Sequence, residues 1–253
     1  MNKLIYQLIL LLLIPSLFSC NDDDTSSYAD LVSREESHID YFIDKENLNI
    51  KNIDEEKVND WTKKVLRDSI DPASLIELGQ WYNITEGNFK RLCFRVNKWG
   101  ENHDRWLSWK AYQDSIAKGQ SPKVRPDSVS FYEQKMQSGS YVLIRYDSLF
   151  NMTDTLDIHK EMPATNLDPY SYQIIYGWSE YYYATSYYQY QYGSTSTYSC
   201  TSGGLAFAPR FLWYGAEVSL IVPFSLVSSD LSSYYYTLYY GKVKYSKPNY
   251  LPE

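Results

Sequence analysis

Histidine is scarce in this chain, three among 253 residues, and none stands at a spacing that zinc or triad chemistry uses. His38 falls on the exposed flank of an expected helix and His103 in a charged turn. Asp157, His159 and Glu161 alternate, which on a strand sets three potential ligands on one face; a solvated strand edge explains the same pattern, and no metal site is assigned. Glycine numbers 11 and forms no phosphate-cradling loop, so Gly203 and Gly204 read as a turn and no cofactor is called for. No internal repeat is visible, which excludes a solenoid. Basic residues are in deficit, with a formal charge of −7, so nucleic acid is excluded as a partner.

Long apolar runs are also lacking, apart from the start. Residues 1–20 carry Lys3, an apolar stretch from Leu8 to Ile14, then Leu17, Phe18, Ser19 and Cys20. A charged start, an apolar core too short to span a bilayer and a small residue before cysteine make a lipoprotein signal peptide, with Cys20 the lipidation site. The alternative is an uncleaved anchor. Losing Lys3 with this segment takes the charge from −7 to −8. Acylation implies a membrane partner through the lipid and a cell-envelope location, with the chain beyond Cys20 outside the bilayer. Residues 21–27, with Asp22, Asp23 and Asp24, form an acidic flexible leader. It resembles the surface-export leaders of Bacteroidetes outer-membrane lipoproteins, and periplasmic and surface-exposed placements both stay open. After Cys20 only Cys93 and Cys200 remain, and an envelope compartment permits either a disulfide or two buried thiols.

The chain is long enough for one core with an accessory element. Apolar residues recur helically from Tyr28 to Asn47 after a Ser26 or Ser27 cap, and again from Asp54 through Ile70, with a short third helix at Asp71 and Pro72. Residues 28–86 are therefore expected as a helical N-terminal extension. Phe89 to Lys98 alternates, with Leu92, Phe94 and Val96 pointing one way, as does Tyr141 to Phe150. Between them Trp106, Trp109, Tyr112 and Ile116 suggest a helix in an insertion at about 99–138.

Tyrosine is the compositional excess, 27 residues, concentrated between Tyr170 and Tyr198. Its alternation with serine, threonine and glutamine favours an extended hairpin, inserted at about 178–202. Downstream, Gly203 to Pro223 reads as a glycine pair, a helix from Leu205 to Tyr214, a stop at Gly215 and a half-buried strand closed by proline. Around Tyr239 lies a last aromatic strand.

The order and spacing of these segments resemble the FKBP-type peptidyl-prolyl isomerases over roughly residues 87–253. Tyr146 takes the family's strand tyrosine; Leu156 and Asp157 come ten and eleven residues on, where the family has Phe-Asp; Pro169, Tyr170 and Tyr172 match Pro-Phe-x-Phe; Gly204 and Leu205 match Gly-Trp. Gly215 and Pro223 close the match. The resemblance implies an α+β fold, a twisted antiparallel sheet wrapped on one helix, with a prolyl pocket walled by Tyr146, Leu156, Tyr170, Leu205 and Tyr239 or Tyr240, of which Tyr240 is preferred, and Asp157 at its rim. Isomerisation needs no nucleophile or metal, because the barrier of about 18–20 kcal/mol is amide resonance and a water-poor aromatic pocket disfavours the planar form. Here the floor tryptophan is Leu205, a wall phenylalanine is Leu156, and Thr201 and Ser202 replace an apolar pair. Weak or absent activity is the expectation, with the chain holding or assisting exported proteins. The alternative is a non-catalytic module in which the tyrosine-rich insertion contacts protein or glycan. Taken singly, each wall residue also suits a core.

Overall fold

The computed structural model describes residues 26–85, 91–128, 136, 141–152, 170–176, 182–191, 194–198, 203–227 and 235–247. The chain divides into two compact units, residues 1–34 and 35–253. Ser27, in the first, caps helix α1 (Tyr28–Lys45), which continues into the second from Glu35. The Asp30 amide donates to Ser27 Oγ at 3.2 Å, while the Asp30 carboxylate accepts from the Ser27 amide at 2.9 Å, a reciprocal capping box. These bonds hold the fully exposed Asp30 carboxyl below its usual range.

The second unit is built on a sheet of nine strands among the described residues: β1 (Ile50–Ile53), β2 (Trp81–Ile84), β3 (Leu92–Lys98), β4 (Tyr141–Asn151), β5 (Tyr170–Tyr176), β6 (Tyr182–Gln191), β7 (Ser194–Tyr198), β8 (Glu217–Val222) and β9 (Leu238–Ser246). Their order is β1-β2-β3-β8-β9-β4-β5-β6-β7. The pair β1 and β2 is parallel and every other pair antiparallel. The fold class is α+β. The strands expected around Leu92, Leu143, Tyr172, Leu220 and Tyr239 all join this sheet, and the tyrosine-rich stretch is the expected hairpin, β6 with β7.

Segment 28–86 holds more than the expected helices. Helix α2 (Glu55–Leu66) starts where expected, with Asp54 accepting from the Lys57 amide at 2.6 Å, and Asp71 caps a 3-10 turn at Pro72–Ser74. Yet β1 and β2 of the same segment extend the sheet beside β3. The reason lies in Trp81, Tyr82, Asn83 and Ile84, all buried, a run too short and too evenly buried to show strand alternation.

On the inner face of the sheet, Leu92, Phe94 and Val96 of β3 point together, as expected, into the main core with Val58, Trp61 and Val65 of α2. Phe94 stacks on Tyr82 at 5.2 Å and meets Phe207 and Phe211 at 5.2 and 5.5 Å. Burying each such ring stabilises the fold by about 1.5–3 kcal/mol. On the outer face, Ile39 and Phe42 of α1 pack on Trp81, Cys93 and Ile221. Helical layers thus cover both faces, the N-terminal helices among them.

That expected helix, Leu205 to Tyr214, is shorter: α4 spans Gly203–Phe207 and passes into a 3-10 turn at Ala208–Arg210. Pro209 is the cause, because it has no amide hydrogen for the carbonyl four residues back, that of Leu205. The buried Tyr245 hydroxyl donates to this carbonyl instead, at 2.8 Å. Gly215 does sit at φ 92°, and it serves a turn into β8 rather than a helix end. Its backbone abuts Gly100, where a Cβ would lie 2.3 Å from the Gly215 carbonyl carbon.

Candidate functional site

Three of the residues marked by the sequence are described with their side chains. Tyr146 of β4 and Tyr240 of β9 meet edge to face at 5.2 Å, with Tyr146 half-buried and Tyr240 buried. Leu205 is buried in the same core, held by α4. Gly204 sets how close α4 lies to β8, since a Cβ there would come within 2.3 Å of Val222 Cγ1. Tyr170 opens β5 opposite Ile144 of β4. Leu156, Asp157 and Cys20 lie outside the described residues, as do His159, Glu161 and Cys200. The pleat puts the two last-strand tyrosines on opposite faces of the sheet. Tyr240 shares the inner face with Tyr146, while Tyr239 turns outward against Phe42 at 4.9 Å and Phe150 at 5.8 Å.

Leu205 and Tyr240 are packed into the main hydrophobic core and Tyr146 packs against it, and none of the three side chains is a carboxylate, imidazole or thiol. Their polar endowment is phenolic. A hollow of about 430 Å³ opens elsewhere, on α2, lined by Glu55, Glu56, Asn59, Asp60 and Lys63. Among the described residues no three His, Cys, Asp or Glu side chains converge as metal ligands would.

Four buried polar groups escaped the sequence. His103 lies in helix α3 (Glu101–Ala117), not in a turn, and is 2% exposed. Its Nε2 is 2.8 Å from Asp71 Oδ1, and the rings of Trp213, Trp99 and Trp106 enclose it at 5.0, 5.6 and 6.1 Å. Burial raises the Asp71 carboxyl, but hydrogen bonds from His103 and the Ala73 amide outweigh it and hold the group below its usual range. His38, expected on an exposed flank, is buried instead. Glu35 of α1 accepts from the Phe224 amide at 2.7 Å and from Thr237 Oγ1 at 2.6 Å. Burial nonetheless pushes its carboxyl above the usual range. Arg210 is fully buried, with Nη2 donating to Asn59 Oδ1 at 2.9 Å. No local signal marked His103, Glu35 or Arg210, since the groups that bond them stand far away along the chain.

Cys93 carries a free, fully buried thiol beside Asn83, and burial pushes it up to about 12, which leaves it protonated and unreactive. No protein-family model matches this chain, and no curated protein matches it significantly. A solved structure of a DUF4827 family protein from Parabacteroides distasonis is similar, with 17% identity and a TM-score of 0.40 over 87% of this chain and 96% of that one.

Proposed function

We propose that this chain is an envelope lipoprotein whose residues 87–253 form a divergent FKBP-like domain, wrapped on α4, that holds segments of exported proteins and turns prolyl bonds over weakly or not at all. Lipidation at Cys20 tethers it to the outer membrane, facing the periplasm or the surface. The observation that supports the reading is the edge-to-face meeting of Tyr146 with Tyr240, with Leu205 in the same hydrophobic core, three positions to which the resemblance assigns pocket walls. Leu205 in place of a tryptophan floor removes aromatic surface, so the amide is held less tightly out of water. The test is protease-coupled prolyl isomerisation by the mature chain from Asn21. A slow rate that falls further in Tyr146→Phe and Asp157→Ala, with both variants folded, supports the proposal; turnover like that of efficient family members refutes weak catalysis.

A second reading makes the tyrosine-rich strands a contact surface for a protein or glycan. It is favoured by the placement of β5, β6 and β7 as three successive strands at one end of the sheet order. Deleting Tyr181 to Tyr192 should then abolish ligand capture while the rest of the unit stays folded.

A further inference from the structure

The outer face of the sheet changes character along its strands. Beneath α1 it is apolar, with Cys93, Ile221 and Tyr239 under Ile39 and Phe42. Two residues along, Arg95 lies over the Trp81 ring at 5.0 Å and its Nη2 donates to Ser219 Oγ at 3.3 Å, while Asn97 donates to the same oxygen at 2.9 Å. Beyond that the register lines up four charged residues directly across four strands: Lys98 of β3 opposite Glu217 of β8, Glu217 opposite Lys244 of β9, and Lys244 opposite Arg145 of β4.

Three cations and one carboxylate stand in this row, on a chain whose formal charge is −7. Lys98 bridges Glu217 at 3.1 Å, and the Glu217 side chain is only 12% exposed. Arg145 and Lys244 are exposed and face each other as like charges, a pairing that destabilises a sheet. Neighbouring strands lie about 4.7–4.9 Å apart, so the row spans roughly 14 Å from Lys98 to Arg145. A feature that opposes folding and presents positive charge on a flat face calls for an anionic occupant.

We propose that this row is a binding surface for an acidic polysaccharide. The strands under it are interior to the sheet and their backbone groups are already paired, so a ligand lying here meets side chains alone. An acidic polypeptide would bring amides that the face leaves without partners. A carboxylated or sulfated sugar chain brings anionic groups for the lysines and arginine, and hydroxyls for the half-buried Asn97 side chain, while Ser219 is fully buried and holds Arg95 and Asn97 in place. Screening over about 8–10 Å lets the row outweigh the negative charge elsewhere on the chain. The row is on the face opposite Tyr146, Leu205 and Tyr240, so the inference is independent of the isomerase reading.

The test titrates the mature chain with heparin and with polygalacturonate, against neutral dextran, polyglutamate and phosphatidylglycerol vesicles. Both acidic polysaccharides should bind and weaken with salt, and dextran should not bind. Arg145→Ala and Lys244→Ala should each lower affinity about two- to fivefold, and the pair together about four- to twenty-five-fold if additive. Each single variant should melt no lower than the parent, because removing one of two opposed cations relieves repulsion. Unchanged affinity in the double variant overturns the proposal, as does affinity lost only together with stability. Polyglutamate binding as tightly as the polysaccharides would reassign the face to acidic polypeptides, and vesicle binding lost in the same variants would reassign it to a bilayer. Either outcome also overturns it.

Discussion

The two faces of the central strands are written in the same alternating code yet obey different rules. The inner face is apolar from end to end: Phe94 and Val96, Val218, Leu220 and Val222, Leu238, Tyr240, Val243 and Tyr245 all enter one core. On the outer face only the part beneath α1 is apolar, and the same strands end in Lys98, Glu217 and Lys244. Alternation therefore specifies which residues share a face, whereas composition along that face reports what covers it. β8 shows the point most sharply, since Glu217 through Val222 are all buried although every second one lies on the outer face.

The largest effect should come from breaking the inner face at Phe94. Phe94→Ala removes a ring that contacts Tyr82, Phe207 and Phe211, and should destabilise by about 3–5 kcal/mol, measured by urea unfolding. One residue away on the outer face, Arg95→Ala loses a contact over Trp81 and should lower stability by only about 1 kcal/mol. Equal losses at the two positions would mean that the faces are not distinct.

Gly204→Ala tests the closeness of α4 to the inner face. The added Cβ meets Val222, and overpacking of this kind should destabilise by about 1–3 kcal/mol. Adding Val222→Ala should recover part of the loss in the same unfolding assay, because the clashing atoms are side chain. Tyr245→Phe keeps the ring and removes the hydroxyl that serves the Leu205 carbonyl. Losing this buried hydrogen bond should lower the unfolding free energy by about 0.5–1.5 kcal/mol.

The smallest effect is one of pH, at Glu35 on the outer side. Its folded carboxyl titrates above the ordinary 4.5, chiefly through burial, so the native state keeps its proton after the unfolded chain has lost its own. The contribution is complete below 4.5 and declines as pH rises from there through the folded value. Glu35→Gln keeps an oxygen for the Phe224 amide and Thr237 and removes the titration. Chemical unfolding across a pH series should show the parent losing stability relative to this variant as pH rises through that window. Parallel pH curves would show that Glu35 does not carry the linkage.

Much of this architecture was legible because local rules acted undisturbed. Alternation in Leu92 to Lys98 and in Tyr141 to Phe150 marked β3 and β4, and the serine and aspartate caps marked α1 and α2. The site was legible only as a set of spacings, and the structure describes part of it. Helix α3 was visible but its buried side was not, since Trp106, Leu107, Trp109, Tyr112 and Ile116 leave no single apolar stripe and His103 is its one fully buried residue.

By itself, then, the amino-acid order determined periodicities, caps and turns, each set by contacts within a few residues along the chain. Which strand lies beside which was decided by the tertiary structure. The parallel seating of β1 on β2, the insertion of β8 between β3 and β9, and the meeting of Lys244 with Arg145 bring together residues far apart in sequence. The same holds for buried charge. Glu35 lies under cover only because Phe224 and Thr237 arrive from the far end of the chain, and His103 because Asp71 and Trp213 close around it. Desolvation depends on everything that excludes water from a point, and no window of sequence contains that neighbourhood.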